Sequence, residues 1–144
     1  MLLTVARALD EFAGHPAPFK TTLWRAWMLG NYDGDTLTVR IDSGFFDTRT
    51  SDVRVLGINA PELKAGTPAS RAKGQYAKQF LALHVPVGTP LELVTTLDPN
   101  LDDPTEKYGR VLASVTVYTP NGATFDLATL MLAAVPGVVA YTPA

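Results

Sequence analysis

Residues 22–29 carry β-branched and aromatic side chains, among them Thr22, Trp24 and Trp27, and this pattern predicts a strand. Tyr32-Asp33-Gly34-Asp35 follows as a tight turn, and residues 36–41 alternate apolar and polar as the outgoing strand. The polar stretch 42–52 predicts an irregular connection, leading into a third strand over 53–58. Between 68 and 83, Ala69, Ala72, Tyr76, Ala77, Phe80, Leu81 and Leu83 recur near the helical period and predict the main helix. Val85-Pro86-Val87-Gly88 stops it, and residues 91–95 predict a fourth strand. An acidic, proline-containing loop over 97–106 precedes a fifth strand at 111–118. A turn at Pro120-Asn121-Gly122 and a short helix over 126–134 complete the set. Five short strands, three of them before the main helix, predict a mainly β fold with α (α+β). The architecture expected is a five-stranded barrel of the oligonucleotide-binding type with packed helices.

Residues 1–12 place Leu2, Leu3, Val5, Ala6, Leu9 and Phe12 at roughly helical spacing. Residues 1–20 therefore read as an N-terminal extension with a short docking helix, and 21–144 as one domain. Arg7, Asp10 and Glu11 interrupt the apolar run that a signal peptide would keep. That favours an intracellular or virion-associated protein over a secreted one. No stretch approaches the roughly 20 apolar residues of a membrane span, so no membrane partner is expected.

Composition narrows the chemistry. The absence of cysteine excludes disulfides and thiolate-held metals. Charged residues make up 18% of the chain, below the roughly 25% of an average soluble protein. Apolar surface, including the apolar termini, is then left for a homo-oligomer or a larger assembly to cover. A net charge of −2 provides no basic field. It argues against a tight, processive nucleic-acid binder and leaves room for an enzyme that binds transiently.

Three segments concentrate the candidate chemistry: Tyr32-Asp33-Gly34-Asp35-Thr36-Leu37, the run from Val53 to Glu62, and Glu106-Lys107-Tyr108-Gly109-Arg110. A turn needs only Asp33 and Gly34, so the second carboxylate, Asp35, is surplus to turn formation and suits a hard cation. Arg54 lies inside an apolar strand, where alternation puts it on a face with Leu56 and Ile58, so a purely solvent-facing role fits poorly. Arg110, alone, would read as an ion pair at a hairpin end; with Arg54 it makes a clamp for a phosphate. Glu62, alone, would read as a helix-start carboxylate after Pro61. His15 and His84 stand apart and make neither a triad nor a zinc site.

Taken in this order, the segments resemble the staphylococcal nuclease-like, or thermonuclease, domain family, with the resemblance running from about residue 22 to 141. It implies the same barrel fold and a calcium-dependent nuclease that hydrolyses phosphodiester bonds of DNA or RNA with little sequence preference, leaving 3′-phosphates. On the matching positions it implies Asp35, Asn59 and Ala60 as metal ligands, with Asp33 in support. Arg54 and Arg110 match the phosphate-binding arginines, and Glu62 matches the base that serves the attacking water. Lys107, Tyr108 and Tyr141 match positions that touch the nucleotide. The chain departs from the family at Asn59 and Ala60, where the best-known members carry Asp and Thr. Ala60 keeps a backbone carbonyl, whereas Asn59 loses a charge and should weaken calcium binding. The usual further C-terminal helix is also missing after Tyr141. The alternative reading is a non-catalytic binding or assembly module on the same fold, for example a virion or complex component; a scaffold, however, has no need of Asp35, Arg54, Glu62 and Arg110 together.

Overall fold

Strand β1 (Thr21–Asn31) alternates as its sequence requires: Ala26 and Met28 are buried, while Leu23, Arg25, Trp27 and Leu29 face out. In the computed structural model, which describes residues 20–96, 105 and 109–142, β1 is the centre of a six-stranded sheet. The helix expected over 1–12 and all of the 97–106 loop but Thr105 lie outside those residues.

The other strands are β2 (Thr36–Gly44), β3 (Asp47–Val55), the short β4 (Ile58–Asn59), β5 (Pro90–Thr96), β6 (Val111–Tyr118), β7 (Thr124–Asp126) and β8 (Val139–Ala140). Helix α1 (Pro68–His84) lies between β4 and β5, and α2 (Leu127–Ala134) between β7 and β8. The sheet order is β3-β2-β1-β5-β6-β7, and β3 also pairs with β6 in parallel at Val53↔Val111, Arg54↔Leu112 and Val55↔Ala113. The hydrogen bonding thus runs as a ring through five strands, with β7 as an annex on β6. The closure spans only this short register, so the fold is barrel-like rather than a clean barrel. Leu37, Val39, Val53, Val55, Leu93 and Val115 fill the interior, and Leu81 of α1 and Met131 of α2 are fully buried with them. Their burial is the main driving force of the fold.

Both helices start where their sequence provides a cap. The Thr67 hydroxyl accepts from the Ser70 N–H, with Pro68 at the first helical position. The Asp126 carboxylate accepts from the Thr129 N–H. Among the described residues no helix is long and apolar enough to cross a membrane.

Two expectations need correction. Residues 42–52 are not an irregular connection: β2 runs on to Gly44, and β3 begins at Asp47 after a two-residue turn. This stretch of β3 is polar because both its faces are largely exposed, and backbone pairing to β2, which needs no apolar alternation, makes it a strand. The strand expected over 53–58 is broken. Gly57, at φ 97°, turns the chain after Val55, and Ile58 starts β4 in a separate pairing with β8. Leu56 is exposed, so Arg54 does not share a core face with it.

Candidate active site

The turn from β1 to β2 is fixed from both sides. Asn31 Nδ2 donates to the carbonyls of Asp33 (2.9 Å) and of Lys78 in α1 (3.1 Å), and Asp33 Oδ1 accepts the Asp35 N–H (3.0 Å). A Cβ on Gly34 would lie 2.7 Å from the Ala77 Cβ and 2.9 Å from the Ala60 Cβ, so only glycine lets the turn sit between α1 and the Ala60 segment. This geometry aims the Asp35 side chain inward, where it is 4% exposed.

Asp35 is the hub of a hydrogen-bonded network. Its Oδ2 accepts the Ala60 N–H (2.7 Å) and lies 3.3 Å from Arg54 Nη2. Its Oδ1 accepts the Thr36 hydroxyl (3.2 Å), and that hydroxyl oxygen accepts from Arg110 Nη1 (2.9 Å). Arg54 Nη2 also donates to Asn59 Oδ1 (2.9 Å), while Nη1 donates to the Val55 carbonyl (3.2 Å). The order Asn59–Arg54–Asp35–Thr36–Arg110 therefore brings two guanidinium groups to one buried carboxylate. Burial, first, and then the hydrogen bond and charge of Asp33 push the Asp35 carboxyl up to about 6, against the opposing pull of the Ala60 N–H and Arg54.

The segment from Asn59 to Glu62 is held by close packing. A Cβ on Gly74 would fall 2.4 Å from the Glu62 carbonyl oxygen, and one on Gly137 would fall 2.7 Å from the Pro61 ring. Pairing of β4 with β8 (Asn59↔Val139) anchors the start of the segment. Glu62 itself is exposed. Among the described residues its carboxylate has no hydrogen bond or ion pair.

Of the nine candidate site residues, Asp35, Arg54, Asn59, Ala60 and Arg110 meet in the network, and Glu62 stands two residues beyond Ala60. Tyr141 follows β8, is half exposed and donates its N–H to the Gly57 carbonyl (2.9 Å), which sets it beside the turn leading into β4. Lys107 and Tyr108 lie outside the described residues. Sequence reasoning missed Thr36, whose hydroxyl links Arg110 to Asp35; its place directly after Asp35 was the available signal. It also missed the Val55 carbonyl as a partner of Arg54, which no side-chain pattern encodes.

Asp35, Asn59 and Ala60 offer a carboxylate, an amide oxygen and a backbone carbonyl, the oxygen types that a hard cation takes. Asp35 Oδ2 already takes the Ala60 N–H and the Arg54 guanidinium, whereas Oδ1, which accepts only the Thr36 hydroxyl, keeps a lone pair. Asn59 Oδ1 already accepts from Arg54 Nη2, and Asp35 is the one charged side chain of the three. Among the described residues no group of three or more His, Cys, Asp or Glu side chains gathers.

Compared with models of known protein families and with curated proteins, the chain matches none.

Proposed function

We propose that this protein is a calcium-dependent nuclease that hydrolyses phosphodiester bonds of DNA or RNA with little sequence preference. The observation that carries the reading is the pair of guanidinium groups, Arg54 and Arg110, on either side of the buried Asp35, joined to it directly and through Thr36. A scaffold gains little from burying a carboxylate at a cost in stability, whereas a phosphoryl-transfer site needs this charge pattern. The resemblance of the three sequence segments to the thermonuclease domain supports the same reading and implies 3′-phosphate products.

Calcium held by Asp35, the Asn59 side chain and the Ala60 carbonyl would supply Lewis-acid polarisation of the phosphate. Arg54 and Arg110 bind the non-bridging phosphoryl oxygens and neutralise the charge that grows on them in the transition state. The Glu62 carboxylate accepts a proton from the attacking water. Thr36 keeps the Arg110 guanidinium beside Asp35, and Asn59 and the Val55 carbonyl do the same for Arg54. Exposed Tyr141, with Lys107 and Tyr108, would contact the nucleotide.

The test is cleavage of single- and double-stranded DNA and of RNA, with calcium titrated and then removed by a chelator. Cleavage should require calcium and stop on chelation, and undiminished cleavage in excess chelator would sink the metal assignment. Arg54→Ala, Arg110→Ala and Glu62→Gln should each slow turnover roughly 10²–10³-fold with folding intact, as loss of one preorganised group does at a charged transition state. No cleavage at any calcium concentration would hand the fold to the non-catalytic binding or assembly reading.

A further inference from the structure

Asn31 closes β1, and its side chain makes two bonds of different kinds. The first, from Nδ2 to the Asp33 carbonyl, spans two residues and is what asparagine ordinarily does at a turn. The second, from the same Nδ2 to the Lys78 carbonyl, reaches 47 residues along the chain into the middle of α1. Turn formation has no use for it. The two bonds spend both hydrogens of the amide, and a helix carbonyl has the second lone pair needed to receive one of them. Asparagine is also a poor strand former, so backbone preference does not explain it at the end of β1.

The place of Lys78 in α1 gives this second bond its meaning. Gly74, Ala77 and Lys78 stand at i, i+3 and i+4 on one face of the helix. The missing Cβ of Gly74 makes room for the Glu62 carbonyl. The Ala77 Cβ abuts Gly34, the residue before Asp35, and the Ala60 Cβ meets the same glycine. A single turn of α1 therefore touches both halves of the candidate site: the turn that carries Asp35 and the segment from Ala60 to Glu62. Packing at Gly34 and Gly74 sets how close these pieces come, but apolar contact is non-directional and leaves them free to slide. The Asn31 bond to Lys78 is directional and fixes their register.

We propose that Asn31 is a positioning residue for this site: its carboxamide pins the turn from Asp33 to Asp35 onto α1, and so sets Asp35 against the Ala60–Glu62 segment that the same turn of the helix holds. What the positioning serves rests on the nuclease reading; the positioning itself rests on the geometry. Asn31 acts through Asp35 and not on the substrate. Without its donors the turn shifts against α1, which loosens the Ala60 N–H on Asp35 Oδ2 and moves the carboxylate relative to Glu62. That displacement weakens calcium binding and slows turnover. Arg54 keeps Asn59 and the Val55 carbonyl, and Arg110 keeps Thr36, so the grip on substrate phosphate is unchanged.

The test compares the full chain with Asn31→Leu, which keeps the size of the side chain and removes both donors. Asn31→Ala repeats each reading should leucine prevent folding. Asp126→Ala, which deletes the cap of α2 beside Thr116 of β6, is a control of comparable stability loss. The first measurement, amide hydrogen exchange, needs neither metal nor nucleic acid. In Asn31→Leu the Asp35 and Ala60 amides should exchange roughly tenfold faster or more, beyond any change at Leu93 in the paired centre of β5. In Asp126→Ala all three amides should change in step. The second measurement takes calcium affinity by calorimetry and cleavage by steady-state kinetics. In Asn31→Leu the calcium dissociation constant should rise and kcat should fall, each roughly 10–100-fold, with KM for nucleic acid unchanged. Asp126→Ala should keep the parent's values. Asp35 and Ala60 amides that merely follow Leu93 in Asn31→Leu overturn the proposal, as does a kcat no lower than that of Asp126→Ala or a loss confined to KM. A parent that cuts nothing, while Asn31→Leu still frees the two amides, removes the nuclease reading and leaves the pin standing, so the two failures register separately.

Discussion

Asp35 is held at a cost in stability at neutral pH. Its carboxyl is pushed up to about 6 by burial and by Asp33, so the folded protein binds this proton more tightly than the unfolded chain does, whose ordinary value is 3.8. Stability from this group is fully present below about 3.8 and is lost as the pH rises through about 6, at roughly 1.4 kcal/mol per unit of separation. Asp35→Asn should therefore unfold at a higher urea concentration than the parent at pH 7. The acceptor lost at Thr36 or Ala60 and the ion pair lost by the buried Arg54 oppose this gain. The advantage should shrink as the pH falls from 6 to 4, and urea midpoints across that range would measure it. The same variant should cut no nucleic acid. If calcium binds as proposed, protons compete with it for this carboxylate, so the calcium concentration for half-maximal cleavage should climb as the pH drops through about 6.

At the scale of elements, the candidate site depends on how closely α1 approaches the segment after β4. Gly74 sits in mid-helix, where alanine would ordinarily be favoured by about 1 kcal/mol. Its missing Cβ is nevertheless required, because the Glu62 carbonyl oxygen occupies that space. Gly74→Ala should lower stability by about 1–2 kcal/mol, an overpacking cost exceeding the helix gain. It should also slow cleavage more than the stability loss alone explains, because the contact it breaks positions Glu62. Urea denaturation beside single-turnover cleavage separates the two effects; an alanine variant more stable than the parent would show that the segment yields freely. Gly137, at φ 88° and against Pro61, closes the other side of the same segment.

The whole molecule carries little net charge, so on the proposed function any grip on nucleic acid would come from the site rather than from a surface field. The proposed reading assigns phosphate contacts to Arg54, Arg110 and Lys107, and each neutralised phosphate contributes a slope of about −0.9 in log affinity against log salt. Substrate binding to duplex DNA should then fall with a slope no steeper than about −3. KM measured between 50 and 200 mM salt, a range that separates shallow from steep dependence, reads this directly. A slope near −6 would reveal an extended basic contact surface.

Sequence alone determined the alternating strands β1, β2, β5 and β6, the capped helices α1 and α2, and the turn that carries Asp33, Gly34 and Asp35. These are local properties: side-chain period, cap residues and turn chemistry act within a few positions. Asp35, Arg54 and Arg110 also stood out in the sequence as charges where local structure did not need them. Tertiary structure decided what lies between distant segments. The polar half of β3 is a strand only because β2 offers it a backbone partner, and β7 and β8 are too short to signal themselves without β6 and β4. The site divides in the same way. No periodicity could reveal that the Thr36 hydroxyl joins Arg110 to Asp35, that Asn59 holds Arg54, or that Gly34 and Gly74 are empty space for Ala60 and Glu62. Those relations rest on distances of a few ångströms between residues far apart in the chain, and closure of the sheet between β3 and β6 is what creates them.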